Sequence, residues 1–144
     1  MSPTPTPTPK PAEPRTRDAD RSQLIILDAA RDEFAGHGLA GARVDRIAER
    51  AGVNKRLIYY YFDSKDGLFL AVLEQTYLDI REAEKQLHLD ELPPTQAIRR
   101  LTEFTWDYYL AHPEFLTLLN SENLHRGTHL AQSGKVREMN SPLI

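Results

Sequence analysis

The stretch Asn54-Lys-Arg-Leu-Ile-Tyr-Tyr-Tyr-Phe-Asp-Ser-Lys65 sets three consecutive tyrosines and a phenylalanine between cations. Hydroxyls and flat rings beside Lys and Arg suit a polyanion. The cations can meet phosphates or base edges, and the hydroxyls can donate to phosphate oxygens. On a helix, Ile58 and Phe62 lie four apart and turn inward together with Val53. Lys55, Arg56 and Tyr60 then point outward, and Tyr59 and Tyr61 flank that face. The competing reading of Tyr59 and Tyr61 is a core tyrosine with its hydroxyl satisfied inside the fold. Lys65 opens the following helix, where the macrodipole disfavours a cation. That small cost argues that Lys65 serves a phosphate.

Those residues need a rigid support, and the upstream sequence supplies one. Val44, Ile47, Ala48 and Ala51 recur at i, i+3, i+4, i+7, a narrow stripe that lets another helix approach closely. Gly52 stands where a C′ glycine belongs, and Asn54 is a good N-cap. Helix, tight glycine turn, helix is the layout of a helix-turn-helix. Before it, from Arg21, the residues Ile26, Leu27, Ala30 and Phe34 mark a first helix that Gly36, Gly38 and Gly41 end. The competing reading of the helix pair is an αα-hairpin used for protein contacts.

Downstream, Ser64 caps a long helix carrying Leu68, Phe69, Val72, Leu73, Thr76, Tyr77 and Ile80, to about Leu87. Pro93 or Pro94 opens a fifth helix with Leu101, Phe104, Thr105, Trp106, Tyr108 and Tyr109. His112 precedes Pro113 and marks a boundary. Leu116, Leu119, Asn120 and Asn123 ride a sixth helix, and a weak seventh segment ends at Asn140-Ser-Pro-Leu-Ile144. No strand alternation occurs, so the expected fold class is all-α. The expected divisions are a disordered Pro/Thr-rich arm at 1–19, a helix-turn-helix domain at 20–80 and a partial helical regulatory domain at 81–144. The arm holds six of the ten prolines. It reads as a solubilising leader or as a basic arm tracking DNA.

The net charge of −3 argues against nucleic acid until the chain is split. Residues 1–66 hold 11 Lys and Arg against 10 Asp and Glu, net +1; residues 67–144 hold 7 against 11, net −4. The acidity belongs to the C-terminal half, and phosphate binding depends on the local face. The chain has no cysteine, which removes disulfides, thiol nucleophiles and Cys-based zinc sites. Its apolar runs are too short to span a bilayer, and the N-terminus lacks a signal-peptide core, so the expected location is cytoplasmic with no membrane partner. There is no phosphate-cradling glycine loop and no Ser/His/Asp arrangement, so no enzyme activity and no cofactor are expected. His125 and His129 stand at i, i+4 with a glycine between them and no third ligand, so no metal site is expected. In the C-terminal half, Phe104, Trp106, Tyr108 and Tyr109 with Asn123 are the candidate lining of a small-molecule pocket, against a plain core role at the same spacing. Asn120, Glu122, Asn123 and His125 form a polar cluster that could anchor a ligand or cap the sixth helix.

Over about residues 21–80 the sequence resembles the TetR family of bacterial transcriptional regulators. The residues that carry the resemblance are Ala30 and Phe34, then Val44-x-x-Ile47-Ala48-x-x-Ala51-Gly52-Val53, then Ile58-Tyr59-x-Tyr61-Phe62 and Ser64-Lys65. It implies a ligand-responsive regulator, most simply a repressor, that binds a palindromic double-stranded operator as a homodimer. It implies a helical C-terminal domain for an unknown small-molecule effector. It implies phosphate contacts from Tyr59, Tyr61 and Lys65 and base reading by Lys55, Arg56 and Tyr60, with Asn54 at the helix start. Leu57 stands where the family has a small polar residue, and is expected to touch a thymine methyl or to pack. Where the family often has a capping Thr, this chain has Ala42 and Arg43; Arg43 can still reach phosphate. The family normally continues with two more long helices for the dimer. The alternative is therefore a truncated DNA-binding fragment that interferes with full-length relatives.

Overall fold

The computed structural model describes residues 13–125, 127–135 and 138. They form α1 Glu13–Gly41, α2 Val44–Ala51, α3 Lys55–Phe62, α4 Lys65–Lys85, the 3-10 turn Leu89–Glu91, α5 Pro94–Ala111, α6 Pro113–Leu124 and α7 Thr128–Gln132, and residues 134, 135 and 138 are helical as well. No strand occurs among the described residues, so the fold is all-α. No helix among them is long and apolar enough to cross a membrane.

Helix α1 begins at Glu13, so residues 13–19 are helical where a disordered arm was expected. Pro14 falls in the first turn, where its missing N–H would have had no helical partner, and no further proline follows to break the ladder. The Pro-Thr repeat at 1–12 lies outside the described residues, as do residues 139–144. The helix breaks at Gly38, whose φ of 70° and ψ of 174° suit glycine and almost no other residue. That break turns the chain toward α2.

The helix-turn-helix closes as its residue types require. Gly52 takes the left-handed conformation at φ 70°, ψ 31°, and Val53 N–H reaches back to Ala48 O at 3.0 Å. Asn54 Oδ1 accepts the Arg56 N–H at 2.9 Å and starts α3. Ser64 Oγ accepts the Gly67 N–H at 2.9 Å and starts α4. Between them, the first turn of α4 presses against the last carbonyls of α3. A side chain at Gly67 would collide with the backbone oxygen of Phe62.

Ile26, Phe34, Ile47, Ile58, Leu68 and Phe69 are fully buried in one cluster. The rings of Phe34 and Phe69 meet edge-on at 5.0 Å. Val53, Leu57, Tyr61 and Phe62 pack against its rim. Leu118 of α6 is fully buried in the same cluster. Helix α4 runs unbroken through residue 80, the expected division, with Leu68, Phe69, Val72 and Leu73 buried toward one end and Ile80 toward the other. It is thus common to the helix-turn-helix head and to the helices that follow. The outer face of α5 leaves Ile98, Trp106 and Leu110 exposed, at i, i+8 and i+12 on one stripe.

Gly67→Ala must displace backbone rather than a flexible side chain. We expect it to destabilise the fold by at least about 2 kcal/mol in urea titrations followed by circular dichroism. An unchanged midpoint would refute the close approach of α3 and α4.

Candidate nucleic-acid interface

Helix α2 lacks a side-chain N-cap, because Arg43 occupies that position with extended backbone. A carboxylate from α1 replaces it. Glu33 is 2% exposed, and its Oε2 accepts the Arg43 N–H at 3.0 Å and the Arg46 Nε–H at 2.8 Å. Arg46 continues to the Gly41 carbonyl at 3.0 Å. One buried acid thus ties the α1 corner to the start of α2, and its charge also complements the helix N-terminus. Burial by itself raises the Glu33 pKa. The hydrogen bonds from Arg46 and from the Arg43 amide, with the charges of Arg46 and His37, outweigh burial and hold it below the ordinary carboxylate value. The sequence carried one signal of this role: Glu33 stands at i+7 from Ile26, on the apolar stripe of α1.

With α2 held, α3 presents its outer face. Arg56 is exposed, and its guanidinium makes no ion pair or hydrogen bond among the described residues. Tyr60 is 81% exposed, and Tyr59 is 42% exposed. Lys55 Nζ lies 2.8 Å from Asp45 Oδ1 in the first turn of α2 and 5.9 Å from the Tyr59 ring centre. The hydrogen bond to Asp45, together with its charge, raises the Lys55 pKa and lowers that of Asp45. Lys55 therefore reaches this face with a carboxylate already beside it. Arg43 is exposed at the edge of the same face. Asn54 serves as the N-cap of α3.

The other expected contacts sit differently. Leu57 is half-buried and packs on the core, so of its two expected roles the structure shows packing. Tyr61 is half-buried too, its ring edge-on to Tyr60 at 5.3 Å and to Phe62 at 6.3 Å. None of the three tyrosine hydroxyls has a hydrogen-bond partner among the described residues. Lys65 Nζ donates to the Ala42 oxygen at 3.2 Å and the Ala40 oxygen at 3.4 Å. Its place at a helix start therefore has a reason inside the fold: it serves the carbonyl end of α1, where a cation is favoured.

Two sequence models match the chain: "Bacterial regulatory proteins, tetR family" over residues 26–72 and "Tetracyclin repressor-like, C-terminal domain" over residues 94–144. The chain belongs to the TetR family. The HTH-type transcriptional repressor NicS of Pseudomonas putida is 45% identical over 130 residues, which are 90% of this chain and 61% of that protein. The HTH-type transcriptional repressor SCO4008 of Streptomyces coelicolor is 44% identical over 112 residues, 78% of this chain and 55% of that protein. A TetR-like transcriptional regulator from Rhodococcus sp. RHA1, known by crystal structure, superposes with a TM-score of 0.67 at 26% identity, over 84% of this chain and 62% of that one. The chain thus spans between half and two thirds of the length of these relatives.

Two cavities share Phe115, and both are walled in part by α4. One, of about 380 Å³, lies between α4, α5 and α6 and is lined by Tyr77, Ile80, Arg81, Leu101, Tyr109 and Leu119, among others. The Phe115 ring stacks on Tyr109 at 5.5 Å and meets Tyr77 edge-on at 5.8 Å. Burial pushes the Tyr77 hydroxyl up, against the opposing charge of Arg81. The other, of about 300 Å³, touches Tyr108, His112, Thr76 and Asp79. Of the expected lining residues, Tyr109 and Tyr108 face these cavities. Phe104 packs on Tyr108 at 5.6 Å, while Trp106 is 66% exposed and Asn123 is also exposed; none of these three lines either cavity. The expected polar cluster divides. Asn120 and Asn123 face outward, Glu122 is fully buried, and His125 Nδ1 lies 2.9 Å from the Ser121 carbonyl.

Glu33→Gln leaves Arg46 without its charged partner. We expect a loss of about 1–3 kcal/mol, less than for a fully buried pair because Arg46 is half-exposed. Because the folded pKa of Glu33 is lowered, its contribution is complete above the unfolded value and is lost as pH falls through the folded one. Urea midpoints followed into acid should show that slope in the native chain and a shallower one in Glu33→Gln.

Proposed function

We propose that the chain is the DNA-binding and effector-sensing part of a ligand-responsive transcriptional repressor that acts as a homodimer on a palindromic operator. The observation that carries this reading is the outer face of α3, where an exposed Tyr60 and an exposed Arg56 with no guanidinium partner among the described residues stand proud of a head braced by Glu33. Arg56 and Lys55 suit guanine O6 and N7, and Tyr60 adds a further base or sugar contact. Arg43, Tyr59, Tyr61 and Lys65 hold the register on phosphates, and Asn54 starts the reading helix. Tyrosine hydroxyls at the rim with no hydrogen-bond partner among the described residues support that division of labour. Lys65 can serve a phosphate with whatever donor capacity its two carbonyl bonds leave, since an ammonium carries three.

Two relatives whose names call them repressors support the sign of regulation. The cavity at Tyr77, Tyr109 and Phe115 supports an effector site, being mostly apolar with a few polar groups at its wall. The exposed stripe of Ile98, Trp106 and Leu110 supports assembly, because apolar surface of that kind is usually covered. A two-fold dimer places its reading helices on half-sites about one helical turn apart, which makes the operator an inverted repeat.

Selection from a randomised duplex library should yield an inverted repeat. On the selected site we expect Arg56→Ala to cost about 1–3 kcal/mol and to relax one base position. Arg43→Ala should weaken selected and random duplexes alike and reduce the salt slope by about 1. Equal losses on both duplexes for Arg56→Ala would remove its reading role, and a library that yields no motif would remove the regulator.

A further inference from the structure

The last turn of α6 reaches the reading head twice, through neighbouring residues. Ser121 Oγ accepts the Leu39 N–H at 3.2 Å, one residue past the break in α1. Glu122, fully buried, accepts the His129 N–H at 3.0 Å and lies 3.2 Å from His129 Nδ1. The other ring nitrogen, Nε2, stands 3.0 Å from Oδ1 of Asp66 in the first turn of α4. The edge-on ring of Phe69 holds the imidazole at 5.1 Å. An ionised carboxylate only accepts, so the ring spans both acids when both of its nitrogens donate.

This is an expensive way to fill space. A buried carboxylate and imidazole lose hydration that a pair of apolar side chains would not. What the polar chain supplies is direction. Hydrogen bonds weaken steeply with small changes of distance and angle, whereas apolar contacts slide. The residue before Asp66 is Lys65, which grips the carbonyls of Ala40 and Ala42. The first turn of α4 is therefore held from the α7 side and from the head side by adjacent residues. The α6 helix that supplies Ser121 and Glu122 also sets Phe115 and Leu119 into the wall of the larger cavity.

We propose that Ser121, and His129 acting through Asp66, are positioning residues for the reading head, fixing the pose of the α1 corner and of the first turn of α4. The proposal rests on the DNA-binding reading above. Ser121 and His129 touch no DNA, so their effect on binding passes through the backbone they hold.

The test compares Asp66→Ala with Asp66→Asn in the 144-residue chain, with Ser121→Ala beside them. Both Asp66 variants delete the same negative charge near the DNA face, and charge alone therefore predicts equal, slightly tighter binding for the two. Asparagine keeps an acceptor for His129 and alanine does not. Affinity for a random-sequence duplex of about 30 base pairs at low salt, read by fluorescence anisotropy, should fall about threefold for Asp66→Ala and for Ser121→Ala, with Asp66→Asn near the native value. Backbone amide exchange should quicken at Gly67 and Leu68 in Asp66→Ala and at Leu39 in Ser121→Ala, while Ile47 and Ala48 keep native rates. Identical behaviour of the two Asp66 variants, or faster exchange spread evenly over the chain, overturns the proposal. A native chain that binds no duplex defeats the DNA reading alone, and the exchange pattern then decides the links by the same criteria.

Discussion

A carboxylate that water cannot reach must be given donors by the chain around it, and Glu33 organises the head on that condition. Its desolvation is offset only if Arg43 N–H and the Arg46 guanidinium both arrive. Their arrival fixes where α1 ends, where α2 begins and at what angle the two diverge. Helix α3 is then placed by apolar contact with that pair, through Ile47 and Ile58, and by the Lys55–Asp45 bridge on the outside. The exposed cations of α3 inherit their aim from a residue that never meets solvent.

Polar groups perform the same service at the other boundary. Lys65, Asp66 and Ser121 link elements that are far apart in sequence, and each bond ends on backbone or on a side chain that is itself held. Apolar burial makes the helices adhere, but it leaves small rotations cheap. The directional bonds remove those rotations. Helix α4 carries buried residues from Leu68 to Ile80, so the one helix packs against the head at its start and against the later helices beyond it.

Local chemistry was legible wherever neighbours in sequence are neighbours in space. The glycine at 52, the caps at Asn54 and Ser64, the inward pair Ile58 and Phe62, and Pro94 at a helix start all act within one turn of themselves. Their residue types state their conformations. The start of α1 was misplaced because proline reads as a breaker, whereas Pro14 sits in the one part of a helix that tolerates it. Trp106 was grouped with pocket aromatics because spacing shows that residues share a helix face, not what that face meets; it turns outward on α5. The dipole cost at Lys65 is met inside the fold by the carbonyls of Ala40 and Ala42, which lie 25 and 23 residues away and so left no mark in the local sequence.

By itself the sequence determined an all-helical chain, the helix-turn-helix and the residues that α3 exposes, because periodicity, caps and glycine turns are short-range properties. Only the tertiary structure decided which carboxylate caps α2, which residues hold α4 and which aromatics share a cavity. Glu33 with Arg46, Ser121 with Leu39 and Asp66 with His129 are separated by 13, 82 and 63 residues. No local preference selects such partners. They are chosen by a packing that brings these buried polar groups to hydrogen-bonding distance of one another.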